Sequence, residues 1–214
     1  MKSKKIRVIT YLLGIISLIT LASVYQYLPS QVPLHWGIDG SVRYGSKNEL
    51  WLVFGLTIIL AVLLDILPKI DPHKEKYDKF GKYSDLYALS TILFLNILQG
   101  CLLIEAFRPH TLSIEKIVPC LVGVLFIIIG NLMPKIKTNF FIGFKTPWTL
   151  TNQDVWNKTH RLGGKMMFGM GIAMIIAAVF TNSIVTMCVV IGGVICGVVV
   201  PLIMSYRWHK KAVE

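Results

Sequence analysis

Charged side chains are scarce in this chain of 214 residues. Only 15% of the residues are Asp, Glu, Lys or Arg, whereas soluble domains carry about 25%. Acidic residues number 11 against 22 basic ones, and 54% of the residues are hydrophobic. A soluble domain of this length could bury a core with fewer apolar residues. The composition therefore excludes an ordinary soluble protein and indicates a membrane protein.

Cysteine is also rare, and its spacing matches neither a disulfide framework nor a metal site. All four cysteines fall within long apolar runs: Cys101, Cys120, Cys188 and Cys196. No nucleophile–base pair is visible. Asp154 and His160 are six positions apart and would not face each other on a helix. The sequence therefore predicts no enzyme, no bound metal and no cofactor.

Six long apolar runs are what the chain does contain. A helix of about 20 apolar residues spans a bilayer, and lipid offers no partner for unpaired backbone groups. Transmembrane helices are predicted at about residues 8–27, 50–67, 86–107, 117–133, 166–180 and 184–204. The first run is too long for a cleaved signal peptide and is expected to be retained. The predicted fold class is all-α, a polytopic integral membrane protein with about six transmembrane helices.

The basic residues predict the orientation, because Lys and Arg are enriched in cytoplasmic segments. Of the 22 basic residues, 18 fall in the two tails and in the second and fourth connections, and 4 fall in the first and third. Both termini are therefore predicted to be cytoplasmic. The net charge of +11 is spread over four segments, so contact with anionic membrane lipids explains it better than direct nucleic-acid binding does.

Polar and small residues inside the runs predict contacts between helices. Asn96 and Gln99 lie mid-span on one face of the third run. They either form hydrogen bonds between helices or line a polar path through the membrane. Small residues at four-residue spacing predict close helix packing in the fifth and sixth runs: Gly169, Ala173, Ala177, Gly193 and Gly197.

Residues 28–49 form the only sizeable predicted outer loop. Its two prolines favour extended backbone before them, and Asp39-Gly40 is a tight-turn pair. Trp36 and Tyr44 suit the membrane interface. The loop is therefore predicted to lie folded against the outer surface.

Residues 139–165 carry the richest pattern on the predicted inner side. Thr151 and Asp154 fit a capping box, which predicts a short helix over about residues 152–162. An amphipathic interfacial helix leading into the fifth span is the expected structure. Four residues would share one face of this helix: Trp156, Thr159, His160 and Gly163.

The inner segment resembles the signature of the SdpI family, bacterial membrane proteins of toxin immunity. Lys145 stands where the family usually has Arg, which keeps the charge but loses the bidentate fork. The matching residues are Asn139, Gly143, Thr146, Pro147, Trp148, Thr149, Leu150, Trp156, Thr159, His160, Arg161, Gly163 and Gly164.

The outer loop resembles the DUF1648 segment that often precedes this signature. The match is carried by Pro33, His35, Trp36, Gly40, Tyr44 and Lys47. The two resemblances divide the chain into a DUF1648-like part with two spans, residues 1–85, and an SdpI-like part with four spans, residues 86–214.

The resemblance implies a membrane immunity protein that protects the cell against a secreted antimicrobial peptide toxin. It also implies a role in sensing the toxin and in holding a transcriptional repressor at the membrane. The outer loop would contact the toxin, and residues 139–165 would form a cytoplasmic platform for the repressor. The alternatives are a platform that only closes the helix bundle, a small-molecule transporter or channel, and an envelope-stress membrane protein without an assigned role.

The predicted orientation can be tested with single cysteines in a variant that lacks the four native ones. An impermeant thiol reagent added to intact cells is expected to label Ser41→Cys and to leave Thr151→Cys unlabelled. The opposite pattern would falsify the cytoplasmic placement of the termini. Labelling both variants after permeabilisation controls for burial of the introduced thiols.

Overall fold

Six long helices dominate the computed structural model, which describes residues 3–37 and 40–213. They are α1 (Lys4–Val24), α2 (Glu49–Ile70), α3 (Tyr77–Phe107), α4 (Ile114–Leu132), α6 (Gln153–Phe180) and α7 (Ser183–Val213). A five-residue helix, α5 (Pro147–Thr151), precedes α6, and the strands β1 (Gln31–Trp36) and β2 (Val42–Ser46) pair between α1 and α2. Three short 3₁₀ turns cover Tyr25–Tyr27, Lys74–Lys76 and Met133–Lys135.

Within the described residues, six helices are long and apolar enough to cross a membrane. The predicted class is therefore confirmed, and the chain is a multi-pass membrane protein. The cytoplasmic placement of the termini stays a prediction. The division after residue 85 falls within α3 and also stays a prediction. Asp39 of the predicted turn pair lies outside the described residues, and Gly40 has a positive φ of 80°.

The helices pack as two groups in chain order. Helices α1, α2 and α3 contact one another, α6 contacts α4 and α7, and α3 also contacts α4. Because the spans alternate in direction, the hairpin shares one end of the bundle with the starts of α4 and α7. The 139–165 segment lies at the other end, with the α2–α3 connection and the end of α7. These are the predicted outer and inner ends.

Four glycines bring α4 and α6 together more closely than side chains would allow. A Cβ on Gly130 would lie 2.7 Å from the backbone oxygen of Gly164, and Gly123 meets Gly171 in the same way. The predicted small-residue packing is wrong for Gly169, where a Cβ would meet no atom within 4 Å. Sequence spacing finds small residues, but only the rotation of the helix decides which of them face a neighbour.

Methionine side chains fill the space at the two glycines of α7. A Cβ on Gly193 would lie 3.3 Å from the terminal methyl of Met174, and one on Gly197 would lie 2.7 Å from that of Met170. The backbones of α6 and α7 are therefore kept apart by these side chains, and the GxxxG pair does not form a backbone-to-backbone contact.

The mid-span polar residues of α3 behave differently from each other. Gln99 is 5% exposed, and its Nε2 donates to Thr57 Oγ1 at 2.7 Å and to Val53 O at 3.1 Å on α2. The Asn96 amide donates to Ile92 O of its own helix at 2.9 Å. The predicted hydrogen bonding between helices is thus confirmed for Gln99, whereas Asn96 satisfies its amide locally.

The glycine contacts generate a stability prediction. Gly130→Ala should lower the unfolding temperature, because its methyl group would press on backbone atoms of α6 that move only if the helices separate. Gly169→Ala is the matched control in an open position, where Ala favours the helix by about 1 kcal/mol. Thermal unfolding of the purified variants measures both, and an unchanged unfolding temperature for Gly130→Ala would contradict the α4–α6 contact.

Candidate functional site

Asn139 organises the inner motif segment, residues 139–165. Its side chain is fully buried. The Oδ1 atom accepts from the backbone N–H groups of Phe141 at 2.9 Å and Ile142 at 2.7 Å. The Nδ2 atom donates to Lys137 O at 2.8 Å and to Ile142 O at 3.0 Å. One amide thus satisfies four backbone groups of a loop that has no helix or strand to do so.

Asp71, which the sequence analysis missed, clamps the same loop from the α2–α3 connection. It is 2% exposed, and its carboxylate accepts from His73 N at 2.7 Å and Phe140 N at 2.9 Å. The Tyr77 hydroxyl lies 3.2 Å from both Asp71 Oδ2 and Asn139 Oδ1. An Asp-Pro pair directly after an apolar run was the available signal, since this pair favours a turn.

Gly143 and His160 form the next contact of the motif. Gly143 has a φ of 114°, and a Cβ on it would overlap His160 Nε2. Phe144 N donates to that nitrogen at 3.1 Å, and His160 Nδ1 lies 2.8 Å from Trp156 O. Because Nε2 accepts from Phe144 N, it carries no proton. The Trp156 carbonyl can only accept, which assigns the single proton to Nδ1 and makes the imidazole neutral. His160 is therefore a buried structural residue whose hydrogen bond to Phe144 N links α6 to the loop.

The predicted shared face of Trp156, Thr159, His160 and Gly163 is confirmed, and all four residues are buried. Trp156 stacks on His160 with ring centroids 3.9 Å apart. Its indole N–H donates to Ile136 O at 3.0 Å. This face packs against the loop and the end of α4 and does not rest on lipid.

Thr146 and Thr149 form a capping box that begins α5. Thr149 N donates to Thr146 Oγ1 at 3.2 Å, and Thr146 N donates to Thr149 Oγ1 at 2.8 Å. Pro147 occupies the first helical position, where its missing N–H costs nothing. Thr149 is fully buried, and its hydroxyl lies 2.9 Å from Phe144 O. The Thr-Pro-Trp-Thr motif is thus a helix start.

The predicted capping box at Thr151 and Asp154 is wrong. Thr151 ends α5, and its hydroxyl donates to Pro147 O at 2.8 Å. Asn152 caps α6 instead, accepting from Asp154 N at 2.9 Å and Val155 N at 3.1 Å. The predicted helix over about 152–162 is confirmed as helix, but it is not a short interfacial one, because it forms the first part of α6, which runs unbroken from Gln153 to Phe180. Burial of the Trp156 face against protein holds this first part of the helix in place.

Trp148 ties the motif segment to the end of α7. Its indole N–H donates to Ser205 Oγ at 2.6 Å, and Ser205 is fully buried. Its ring packs edge-on against Tyr206 at 5.4 Å and stacks near His209 at 6.2 Å. Trp148 is therefore a structural anchor, and its indole N–H is already occupied.

A smaller set of motif residues faces outward. Lys145 is exposed, and its Nζ donates to Phe141 O at 3.2 Å. Lys158 forms an ion pair with Asp154 at 2.7 Å, one turn back along α6. Arg161 is exposed and makes no ion pair within the part of the chain that the structure describes. Positive charge is thus available on this surface.

The predicted outer loop contains an antiparallel β-hairpin, in which β1 pairs with β2. The prolines predicted extended backbone, and the structure has it in β1, but the pairing with β2 was not foreseen. A bulge interrupts the register between Pro33 and His35. The facing pairs include Val32 with Gly45, Pro33 with Tyr44, His35 with Arg43, and Trp36 with Val42.

Lys47 links the hairpin by hydrogen bonds to the segment that directly follows α1. Its Nζ donates to Tyr25 O and to Leu28 O, both at 3.2 Å, and lies 4.7 Å from the centroid of the Tyr25 ring. Val32 adds an apolar anchor, since it is fully buried in a cluster that includes Leu50 of α2. The hairpin therefore lies folded against the helices.

The other hairpin residues singled out by the sequence differ in exposure. Tyr44 is 44% exposed, while Pro33 is buried. His35 and Gly40 are exposed, and Trp36 is half-buried and lines a cavity together with the first turn of α4. The structure does not bring these residues together with the 139–165 segment, because the two groups lie at opposite ends of the bundle.

Fold and site together define a polytopic helical membrane protein with a hairpin at one end and a buried hydrogen-bonded loop at the other. Residues 135–205 match the SdpI/YfhL protein family, and residues 12–68 match the domain of unknown function DUF1648. The resemblance stated above is thereby confirmed: the chain is SdpI-like, with an N-terminal DUF1648 segment.

A curated relative extends this likeness over nearly the whole chain. The immunity protein SdpI of Bacillus subtilis (strain 168) is 26% identical over 208 residues, which cover 97% of each protein. No solved structure matches the chain. Together with the six apolar helices, the relative indicates a multi-pass protein of the bacterial cell membrane.

The central role of Asn139 generates a prediction. Asn139→Ala should loosen the loop, because each buried backbone group left unpaired costs about 1–3 kcal/mol. Hydrogen exchange of the backbone amides in residues 137–146 should accelerate strongly. Asn157→Ala is the matched control, since Asn157 is exposed and its side chain, among the residues that the structure describes, bonds only to Gln153. Equal exchange in the two variants would contradict the assigned role.

Proposed function

We propose that this chain is a non-enzymatic immunity protein that protects the cell against a secreted antimicrobial peptide toxin. The observation that carries the proposal is the likeness to an immunity protein over 97% of both chains. It is supported by the segment 139–165, in which the buried residues of the signature described above are held by hydrogen bonds and ring contacts. Expression in a toxin-sensitive bacterium, followed by challenge with the toxin, tests the proposal.

The hairpin is the proposed toxin contact. It is the largest segment at the predicted outer end, and a toxin arriving from outside meets this end first. Tyr44 offers an exposed aromatic ring, and Trp36 offers a half-buried one beside the start of α4. Aromatic rings at headgroup level suit an amphipathic peptide, because they combine an apolar face with a polar edge.

This assignment predicts a loss of protection without a loss of protein. The double variant Trp36→Ala with Tyr44→Ala should tolerate about tenfold less toxin, since losing aromatic contacts at an interface costs about 1–2 kcal/mol. Its abundance in the membrane should equal that of the wild type. Tyr27→Ala is the control, an exposed aromatic residue next to the hairpin. Full protection by the double variant would contradict toxin contact by the hairpin. Reduced abundance of the double variant would instead show that the two aromatic residues anchor the loop.

A second role is proposed for the segment 139–165 as a cytoplasmic platform that recruits a transcriptional repressor. The buried motif residues fix its shape, and the exposed Lys145 and Arg161 supply positive charge for an acidic partner surface. The competing interpretation is that the segment only closes the bundle. Trp148 does not discriminate between the two, because its bond to Ser205 makes it structural in either case.

Arg161 separates the two interpretations. Arg161→Glu should abolish recruitment of a fluorescently labelled repressor to the membrane in toxin-treated cells, while protection and abundance remain as in the wild type. Arg108→Glu provides the same charge change at the opposite end of the bundle and should leave recruitment intact. Loss of protection together with recruitment would favour simple closure. If the repressor stays on the nucleoid even with wild-type protein and toxin present, the recruiting role is excluded and immunity is the one proposed role that remains.

A further inference from the structure

An apolar groove runs between α2, α3 and α4 in the half of the bundle nearest the hairpin. It has a volume of about 550 Å³, and its walls are mostly aliphatic, with Leu60, Leu98 and Leu102 among them. Among the polar side chains in its wall, Gln99 donates from Nε2 to Thr57 Oγ1. Gln99 Oε1 is shielded from the surface and has no hydrogen-bond partner among the described residues. The groove is therefore suited to an unbranched apolar chain and offers little to a polar one.

A second cavity, the vestibule, lies at the hairpin end itself. It has a volume of about 320 Å³ and is enclosed by β1 and the first turns of α4 and α7. More of its lining side chains are polar than in the groove, and they include a carboxylate: His35, Glu115, Ser183 and Thr186. This volume suits a compact polar head at the level of the lipid headgroups.

The groove and the vestibule adjoin, and they differ in polarity. Trp36, Ile114 and Val118 line both of them. The two cavities therefore adjoin at these three residues. Ligand sites commonly join an apolar cavity to a few polar groups that fix orientation. Groove and vestibule together have this composition.

Glu115 indicates which head group the vestibule takes. It is exposed in the first turn of α4 and makes no ion pair among residues 3–37 and 40–213. Lys116 follows it directly, but neighbouring helix positions do not face each other. A carboxylate at this rim repels phosphate and sulfate and attracts an ammonium group. A phospholipid phosphate is therefore the wrong head for this vestibule.

We propose that the groove and the vestibule bind a single-chain cationic amphiphile, with its apolar tail between α2, α3 and α4 and its ammonium head beside Glu115. Trp36, which lines both cavities, would then lie between tail and head. This site does not depend on the immunity function, and it can be tested on the purified protein alone.

The test uses the full-length protein in nanodiscs of a zwitterionic lipid. The probe is dodecylamine with a photoreactive diazirine near the end of its chain, and the comparison probes carry the same tail with a hydroxyl or a sulfate head. The amine should bind about fivefold more tightly than the alcohol, as for a partly exposed ion pair worth about 1 kcal/mol. Crosslinks from the tail should fall on Leu98, Leu102 and Val118.

Variants separate this site from general lipid contact. Glu115→Gln should remove the preference for the amine and leave the tail crosslinks in the groove. Glu49→Gln is the matched control, an exposed carboxylate at the same end that lines neither cavity. Val118→Trp should block the tail, and Leu98→Trp does so from α3 if the first variant does not fold.

The results that overturn the proposal are equally specific. Crosslinks spread evenly over the lipid-facing helices would show ordinary bilayer contact. Equal affinity for amine and sulfate would exclude recognition by Glu115. An equal response of the Glu115→Gln and Glu49→Gln variants would do the same, since it would reduce the effect to general surface charge.

Discussion

Backbone N–H and C=O groups just beyond the end of a transmembrane helix have no partner within the helix, so other groups must form hydrogen bonds with them. The rest of this structure depends on which groups do so. In lipid an unpaired N–H or C=O costs several kcal/mol. Here single side chains meet the need at both ends of the bundle. Asn139 holds the loop after α4, and Glu105 accepts from His110 N at 2.9 Å and Leu112 N at 2.6 Å in the turn after α3.

Helix α2 connects the two segments that carry the family likeness. At its beginning Leu50 packs with Val32 of the hairpin, and just after its end Asp71 clamps Phe140 of the motif segment. Gln99 of α3 bonds to the middle of α2, on Thr57 and Val53. A single helix is thus fixed to the hairpin, the bundle and the inner loop, and both ends of the molecule share it as a rigid element.

The sequence predicted the number of spans because long apolar runs have only one stable form in lipid. It also predicted the shared face of Trp156 and His160, since helical periodicity is local. It failed where partners are distant in the chain. The clamp by Asp71 joins positions 69 residues apart, and the α4–α6 contact depends on helix rotation at Gly130. The helix start at Asn152 was missed because Thr151 offers an equally good local pattern.

The buried and exposed residues of the motif segment have different consequences for function. One set of residues forms contacts only within the protein, so its members determine the conformation of the loop and have no free group for a partner. They are Asn139, Gly143, Thr149, Trp156 and His160. A signature built mostly of such residues identifies a fold, and a fold alone does not define a function. The groups of this segment that remain free for a partner are exposed ones such as Lys145 and Arg161, where a substitution can change the charge without disturbing the buried contacts. Lys145 illustrates this freedom, because it keeps a positive charge where the signature described above has Arg, and its side chain bonds to neither Asn139 nor His160.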